Sequence, residues 1–480
     1  MSLTIEQKPK YRLIPAASNI IFTVKDDVTT ASKFKIKYTA EVYVNNRTAG
    51  LTNTVNRVAV LKVTPNGVGS GIFDLSPILQ NYVTPDYEGG TVHNSSAIYF
   101  SQYNGTNFSD NTPHTIHQVD DFSTNRNSCR FFTVRFNVEA ADSATGNVTT
   151  QYNSNTTVDD FLMYNGVLYD TDILNLDAAG NFGYNLSEEG FVLNSSTDSF
   201  LSNAPKTQYL RTTDYLTLSF FSQYDWDFEV GTAGLQYPSV RKIEIQFYNN
   251  GSTTGSLITK LIQAAYGGHA GYMGDSNNKL QFAGVGTGNL VGSGETLPTN
   301  WEYYTVKAKD QTDNVISDTY NFYKQEEDCK EFETIRLTWL NKFGVWDYYN
   351  FTKKSVRTFN TKRKSYTQIT GTWNESKFRI NGHTGGKKTY NSSISETIKL
   401  NTDYITEAEA IWLEELFISN DVYILEERST DNTSLGYMSK YIQPATITNS
   451  THTRKTKAND KLIQYTFNLQ TTKTKKTQRI

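Results

Sequence analysis

Between Phe332 and Phe351 the chain reads FETIRLTWLNKFGVWDYYNF, a pattern that suits a β-hairpin and little else. Ile335, Leu337 and Trp339 alternate with Thr334, Arg336 and Thr338, the period of a strand with one buried face. Asn341-Lys342-Phe343-Gly344 interrupts the run with a residue free to take positive φ, and a second aromatic run follows with Trp346, Tyr348 and Tyr349. Composition extends this reading to the whole chain. Aromatic residues make up 13% of 480 residues, led by 31 Tyr and 26 Phe. Thr, Tyr and Phe suit strands, while the abundant Asn, Ser and Gly suit turns. The expected fold class is mainly β, with several β-sandwich modules and one amphipathic helix in the C-terminal domain.

Four regions are expected: an N-terminal β-sandwich module (1–135), a loop-rich connecting region (136–205), a second β-sandwich module (206–328) and a C-terminal β-domain (329–480). In the first, KFKIKYTAEVYV sets Phe34, Ile36, Tyr38, Ala40, Val42 and Val44 on one face and Lys33, Lys35, Lys37, Thr39 and Glu41 on a wet one. RVAVLKVTPNG reads as a strand ending in a Pro-Asn-Gly turn. GIFDLSPILQNYV contains a short helical turn, with Asp74 or Ser76 as its cap ahead of Pro77. In the second module DYLTLSFF, VRKIEIQFYNNGS and WEYYTVKAKD read as strands, with a hairpin turn at Asn249-Asn250-Gly251. The Gly-rich stretch 266–294 reads as an exposed excursion. No fixed-period repeat is present.

The C-terminal domain holds the clearest helix, 406–419. Thr406 and Glu409 have capping-box spacing, Ala410, Leu413, Leu416 and Phe417 form an apolar stripe beside Trp412, and Glu407, Glu409, Glu414 and Glu415 form an acidic face. Trp339 and Trp412 are expected to be core anchors. A closing strand aligns Ile463, Tyr465, Phe467 and Leu469, ahead of a tail bearing Lys473, Lys475, Lys476 and Arg479. Charge is uneven. Residues 331–480 hold 23 basic and 15 acidic residues, a net of +8, whereas the rest hold 23 and 34, a net of −11. Such asymmetry fits nucleic acid, an acidic partner, or head-to-tail contact between copies. Cys129 and Cys329 lie 200 positions apart, which reads as two separate thiols and a reducing compartment. The opening MSLTIEQKPKYRLIP has no apolar core of a signal peptide, and no run is long enough for a membrane span.

Candidate chemistry is sparse. His114 and His117, near Asp120 and Asp121, could share a metal on a helix, but Pro113 favours a loop where they diverge. Asp170, Asp172 and Asp177 fail the EF-hand pattern, since Leu174 and Asn175 occupy the third alternate and sixth positions, which leaves only a looser calcium site as the alternative. Asp225, Asp227 and Glu229 alternate as on a solvated strand face, a pattern shared with glycosidase carboxylates. NGHTGGKKT has Asn381 in place of the first P-loop glycine and Lys388 in place of Ser or Thr, and GVGTGNLVGSG lacks dinucleotide-binding spacing. Both read as flexible loops. KKSVRTFNTKRK (353–364) is basic with aromatics nearby and suits an acidic partner or a solvated strand before a nucleic acid backbone. No catalytic residue, cofactor or metal site is expected.

LTWLNKFGVWDYYNFTKK, ITEAEAIWLEELFISNDVYILEE and the closing YTFNLQ together resemble virion structural proteins of tailed bacteriophages, in particular tail, baseplate or hub-region components. The resemblance covers 330–480 and, more loosely, 15–85 through SNIIFTVKDD and FDLSPILQNYV. It implies a non-enzymatic structural subunit of a virion, assembled in the bacterial host cytoplasm. The implied partners are copies of itself and other virion tail proteins; nucleic acid is not among those expected. A glycan-binding adhesin that recognises a host surface glycan, and a tail depolymerase, are the alternatives.

Overall fold

The computed structural model describes residues 3–46, 56–87, 115–119, 122–151, 156–157, 160–169, 172, 185–221, 240–261, 279–325, 332–373, 375–425, 442–449, 451 and 463–472. The fold is mainly β, as expected. The chain divides into two compact units: Met1–Glu326 with Leu340–Asp347, and Glu327–Trp339 with Tyr348–Ile480.

The first sandwich of unit 1 faces a three-stranded sheet (Thr4–Gln7, Ile21–Lys25, Ser70–Asp74) with a larger one ordered Leu13–Pro15, Phe161–Tyr164, Cys129–Ala141, Phe34–Asn45, Arg57–Val63. Phe22, Val24 and Phe73 from one sheet meet Tyr38, Val42, Phe136 and Phe161 from the other in a single buried cluster. The Phe22 and Phe136 rings lie 5.6 Å apart. The alternation of Phe34–Asn45 departs from expectation at both ends. Lys35 takes φ 53° and the register slips between Phe34 and Lys37, so regular burial starts at Tyr38. Thr39, expected on the wet face, is buried, and so are Tyr43 and Asn45 further along the same side. Long side chains cover that face: Arg135 sits 5.6 Å from the Tyr43 ring, whose hydroxyl donates to Glu41 at 2.7 Å. Asp74 organises the helical turn Ser76–Leu79, accepting from the backbone N–H groups of Ile20 and Ser76, although Leu75 is the N-cap residue.

The second assembly of unit 1 has a five-stranded sheet (Thr207–Leu210, Tyr320–Lys324, Tyr303–Lys309, Lys242–Asn249, Ser252–Leu261) and a three-stranded one (Thr217–Phe221, Leu280–Gly284, Phe122–Thr124). Asn250 and Gly251 take φ 47° and 74°, the positive values that a two-residue hairpin loop of type I′ requires. The expected boundary at 135/136 falls inside strand Cys129–Ala141, and Phe122–Thr124 pairs with Leu280–Gly284, so the two sandwiches interleave along the chain.

The described part of the glycine-rich stretch is core and not an exposed loop. Leu280–Gly284 is a buried strand and Thr287–Gly292 a short, largely buried helix. Asn289 Oδ1 accepts from Leu216 N at 2.8 Å, while Nδ2 donates to the carbonyls of His117 (3.0 Å) and Val119 (2.7 Å). A Cβ on Gly286 would lie 2.4 Å from Leu216 N, so the glycine serves close backbone approach.

The turn of the 332–351 hairpin belongs to unit 1. Asn341 Oδ1 accepts from Phe343 N (3.0 Å) and Val345 N (3.3 Å), and its Nδ2 donates to Leu201 O (2.9 Å). Gly344 takes φ 75°, and a Cβ there would lie 1.6 Å from Asn165 O.

Unit 2 is a seven-stranded sheet ordered Trp346–Phe351, Ile335–Leu340, Val422–Leu425, Ile442–Ile447, Thr466–Thr471, Gly386–Asn401, Val356–Gln368. Helix Glu407–Ile418 packs on it behind a complete capping box between Thr406 and Glu409. Trp339 and Trp412 are both buried, with ring centroids 5.1 Å apart, and Phe417 stacks on Phe467 at 4.3 Å. Two expectations need correcting. Arg336 and Thr338 are both buried: Arg336 donates to Asn350 Oδ1 at 2.8 Å and covers the Tyr348 ring at 5.2 Å, while the Thr338 hydroxyl has no hydrogen-bond partner among the described residues. The acidic helix face is also mixed, with Glu415 buried and Ile411 and Ile418 exposed. The closing strand is Thr466–Thr471, preceded by an Ile463–Ile405 bridge; the four basic tail residues lie outside the described residues. Among the described residues no helix is long and apolar enough to cross a membrane.

Trp339→Ala and Trp412→Ala should each destabilise unit 2 by about 3–5 kcal/mol, the usual range for emptying an aromatic core site, read as a lower thermal midpoint. Truncation after Thr472 should leave unit 2 folded, whereas truncation before Ile463 removes an interior strand and should abolish its protease resistance.

Candidate interaction arm

Val356–Gln368 and Gly386–Asn401, strands of 13 and 16 residues, pair antiparallel along their length. Only Thr397–Asn401 also pairs with Thr466–Gln470, so residues 386–396 have no strand on their other side among the described residues. Beyond the sheet the two strands therefore form a two-stranded ribbon. Its sequence explains why it stays a strand: Val, Thr, Phe, Tyr and Ile favour extended backbone, and cross-strand pairing satisfies the peptide groups.

Period two assigns the faces. Arg357, Phe359, Thr361 and Arg363 share one with Ile398, Glu396, Ile394 and Ser392; Thr358, Asn360, Lys362 and Lys364 share the other with Thr397, Ser395, Ser393 and Asn391. At the base, the first face enters the core through Ile398 and Leu400. Arg357 clamps this base, donating to Glu333 at 2.6 and 3.0 Å and to Glu396 at 2.8 Å. Glu333 first, then Glu396, hold its guanidinium above its usual pKa against partial desolvation. Past the base both faces of Val356–Gln368 are solvent-exposed. The register shifts between Lys364 and Ser365, a bulge that leaves Tyr390 as the extra residue.

The far end turns through a miniature sheet, Thr372–Trp373 with Phe378–Arg379. Gly371 takes φ 121° and a Cβ there would lie 2.3 Å from Arg379 O, which lets the strands close. Ile369, Trp373, Phe378 and Ile380 are 75%, 64%, 51% and 75% exposed. The phosphate-loop-like 381–389 is the return limb: Thr384 N donates to Asn381 O at 3.0 Å and the chain enters strand Gly386–Asn401, with no helix to form a phosphate cradle.

The remaining candidates do not converge. His117 is buried edge-on to Trp346 at 4.9 Å, whereas His114, Asp120 and Asp121 lie outside the described residues. Asp172 pairs with Lys342 at 3.2 Å, and Asp170, Asp177, Asp225, Asp227 and Glu229 lie outside the described residues. No group of three or more His, Cys, Asp or Glu could hold a metal among the described residues. Cys129 is a free buried thiol, raised well above its usual pKa by burial and then by Asp86; Cys329 lies outside the described residues.

Sequence reading missed one polar cluster. Lys206 Nζ donates to Ser199 Oγ and to Tyr320 OH (3.0 Å), with Asp318 at 3.7 Å. Burial lowers the amine's pKa and Asp318 opposes it. With a carboxylate this close, the lysine acts as a donor that ties 199–206 to the Tyr320 strand. Tyr320 and Asp318, more than a hundred positions away, gave no signal in sequence.

No family model matches the chain, and no curated protein matches it. Among solved structures, the chain is similar to an E. coli alpha-2-macroglobulin in its native conformation, at 10% identity and TM-score 0.18, covering 83% of this chain and 21% of that one. It is similar to a Salmonella alpha-2-macroglobulin variant at 9% identity and TM-score 0.18, covering 83% and 21%. The chain thus spans about a fifth of the length of those proteins, and likeness at this level defines neither fold nor function.

Lys362→Gln, Lys364→Gln and Lys388→Gln combined should shift unfolding free energy by no more than about 0.5 kcal/mol per site, as for surface positions without packing. Chemical denaturation checks this.

Proposed function

We propose that this chain is a structural subunit of a bacteriophage tail or baseplate, assembled with copies of itself and with other virion tail proteins. The observation that carries the reading is the exposed basic ribbon at 356–400, set in a chain whose remainder is acidic. A two-stranded limb with no core of its own gains stability by contact with a neighbour, and charge asymmetry favours heterologous contacts that close into rings. The residues that resemble virion proteins, 330–480, include this ribbon. No catalytic role is assigned, and the site of assembly is the host cytoplasm. Exposed Trp373, Tyr366 and Tyr390 also fit the second reading, a glycan-binding surface; a glycan array separates the two, and reducing-end release from host capsule tests the depolymerase alternative.

Mass photometry of the purified chain should show a closed oligomer at low salt that weakens as salt rises. Removal of 473–480, with four of the basic residues, should weaken it further without loss of fold. A label on the chain should appear at a repeated position in the particle. A monomer at every concentration, together with isolated single copies in the virion, overturns the proposal.

A further inference from the structure

Cations elsewhere in the described structure are commonly neutralised in place. Lys62 pairs with Glu139, Arg211 with Asp214, Lys242 with Glu244 and Asp313, and Lys353 with Asp403. Beyond the Arg357 clasp at its base, the arm is different. Among the described residues Lys362, Arg363, Lys364, Arg379, Lys387 and Lys388 have no ion-pair partner, and they flank the exposed apolar tip formed by Ile369, Trp373, Phe378 and Ile380.

The apolar and the charged half of this surface suit one kind of contact. Large apolar side chains grouped in the open mark a contact site, and clustered like charges raise one another's energy until a counter-charge arrives. The occupant must therefore offer both an apolar seat and negative charge. The chain supplies the charge itself. Residues 356–400 hold nine basic and two acidic residues, a net of +7; the remainder holds 37 and 47, a net of −10. Glu188, Glu189 and Glu295 are exposed and lack a cationic partner among the described residues.

We infer that the arm docks tip-first on the acidic remainder of a second copy of this chain, with Trp373 and Phe378 as buried anchors and Lys362, Lys364 and Lys388 as steering charges. The inference rests on the assembly reading and names the surface through which copies meet. Aromatic side chains are the usual anchors of such contacts, and rim charges set association rate and salt sensitivity. Exposed edges along 356–368 and 386–396 add backbone donors and acceptors that an adjoining strand can take up.

The test uses the full chain with a benzophenone amino acid in place of Trp373, mixed with an isotope-labelled copy and illuminated at about 50 mM and about 500 mM salt. Crosslinks between light and heavy copies, from position 373 to peptides outside 356–400, are expected, and fewer at the higher salt. In parallel, Trp373→Ser with Phe378→Ser, and Lys362→Glu with Lys364→Glu and Lys388→Glu, should each keep the wild-type melting temperature and weaken self-association by about tenfold or more. Self-association undiminished in both variants overturns the arm's role and leaves the assembly reading standing. A monomeric wild-type chain without intermolecular crosslinks overturns both. Crosslinks confined to one copy, or arm-dependent binding to phosphatidylglycerol vesicles or duplex DNA without self-association, overturn this inference in favour of another occupant.

Discussion

Five residue pairs, Thr397–Asn401 against Thr466–Gln470, join the long ribbon to the rest of its sheet. Everything the arm does depends on them. Leu400 opposite Phe467 and Ile398 opposite Leu469 place four buried apolar side chains at the joint. Phe467 is in turn stacked on Phe417 of the helix and set edge-on to Phe351 at 5.5 Å. The ribbon's root is thus continuous with the aromatic core that contains Trp339 and Trp412. Arg357 adds an ionic clasp at the same level, worth little in stability at such exposure but able to fix where the ribbon leaves the sheet.

The other unit is organised by buried polar side chains as much as by its cores. Asn289 satisfies three backbone groups from two segments. Asp86 accepts from the N–H groups of Arg126 and Asn127 and from Ser128 Oγ, and its carbonyl accepts from Trp346 Nε1 at 3.0 Å. Loops without regular pairing need such partners, because a buried peptide group left alone costs about 1–3 kcal/mol.

Much of the β architecture was legible in the sequence wherever one rule acted locally. The capping box at Thr406 and Glu409, the Asn250-Gly251 turn and the Gly344 turn depend on backbone chemistry within a few residues, and each formed where expected. Alternation failed where the environment was not one-sided. Ile335–Leu340 is an interior strand, buried on both faces; Arg336 is absorbed by an asparagine and an aromatic ring, whereas the Thr338 hydroxyl has no hydrogen-bond partner among the described residues. Gly286 and Gly288 were read as freedom when they serve proximity, a distinction set by Leu216 and Asp214, some seventy positions away. The arm was legible as charge but not as shape. A strand with no core on either side has no reason to alternate, so its basic segment carried no sign of its 13-residue length. The extra Tyr390 at the bulge likewise depends on the partner strand.

The triplet Lys362-Arg363-Lys364 stands midway along an exposed edge of 13 residues. Such an edge is ordinarily a template for another strand of its own kind, and lysines are the usual guard against that. Two arms brought side by side would set triplet against triplet. Mutual exchange of arms along a two-fold axis is therefore disfavoured by the same charges that attract the arm to an acidic surface. Contacts made this way have a donor and an acceptor side, so an assembly has direction, and each added copy presents anew the end that the next one needs until the last meets the first and the ring closes.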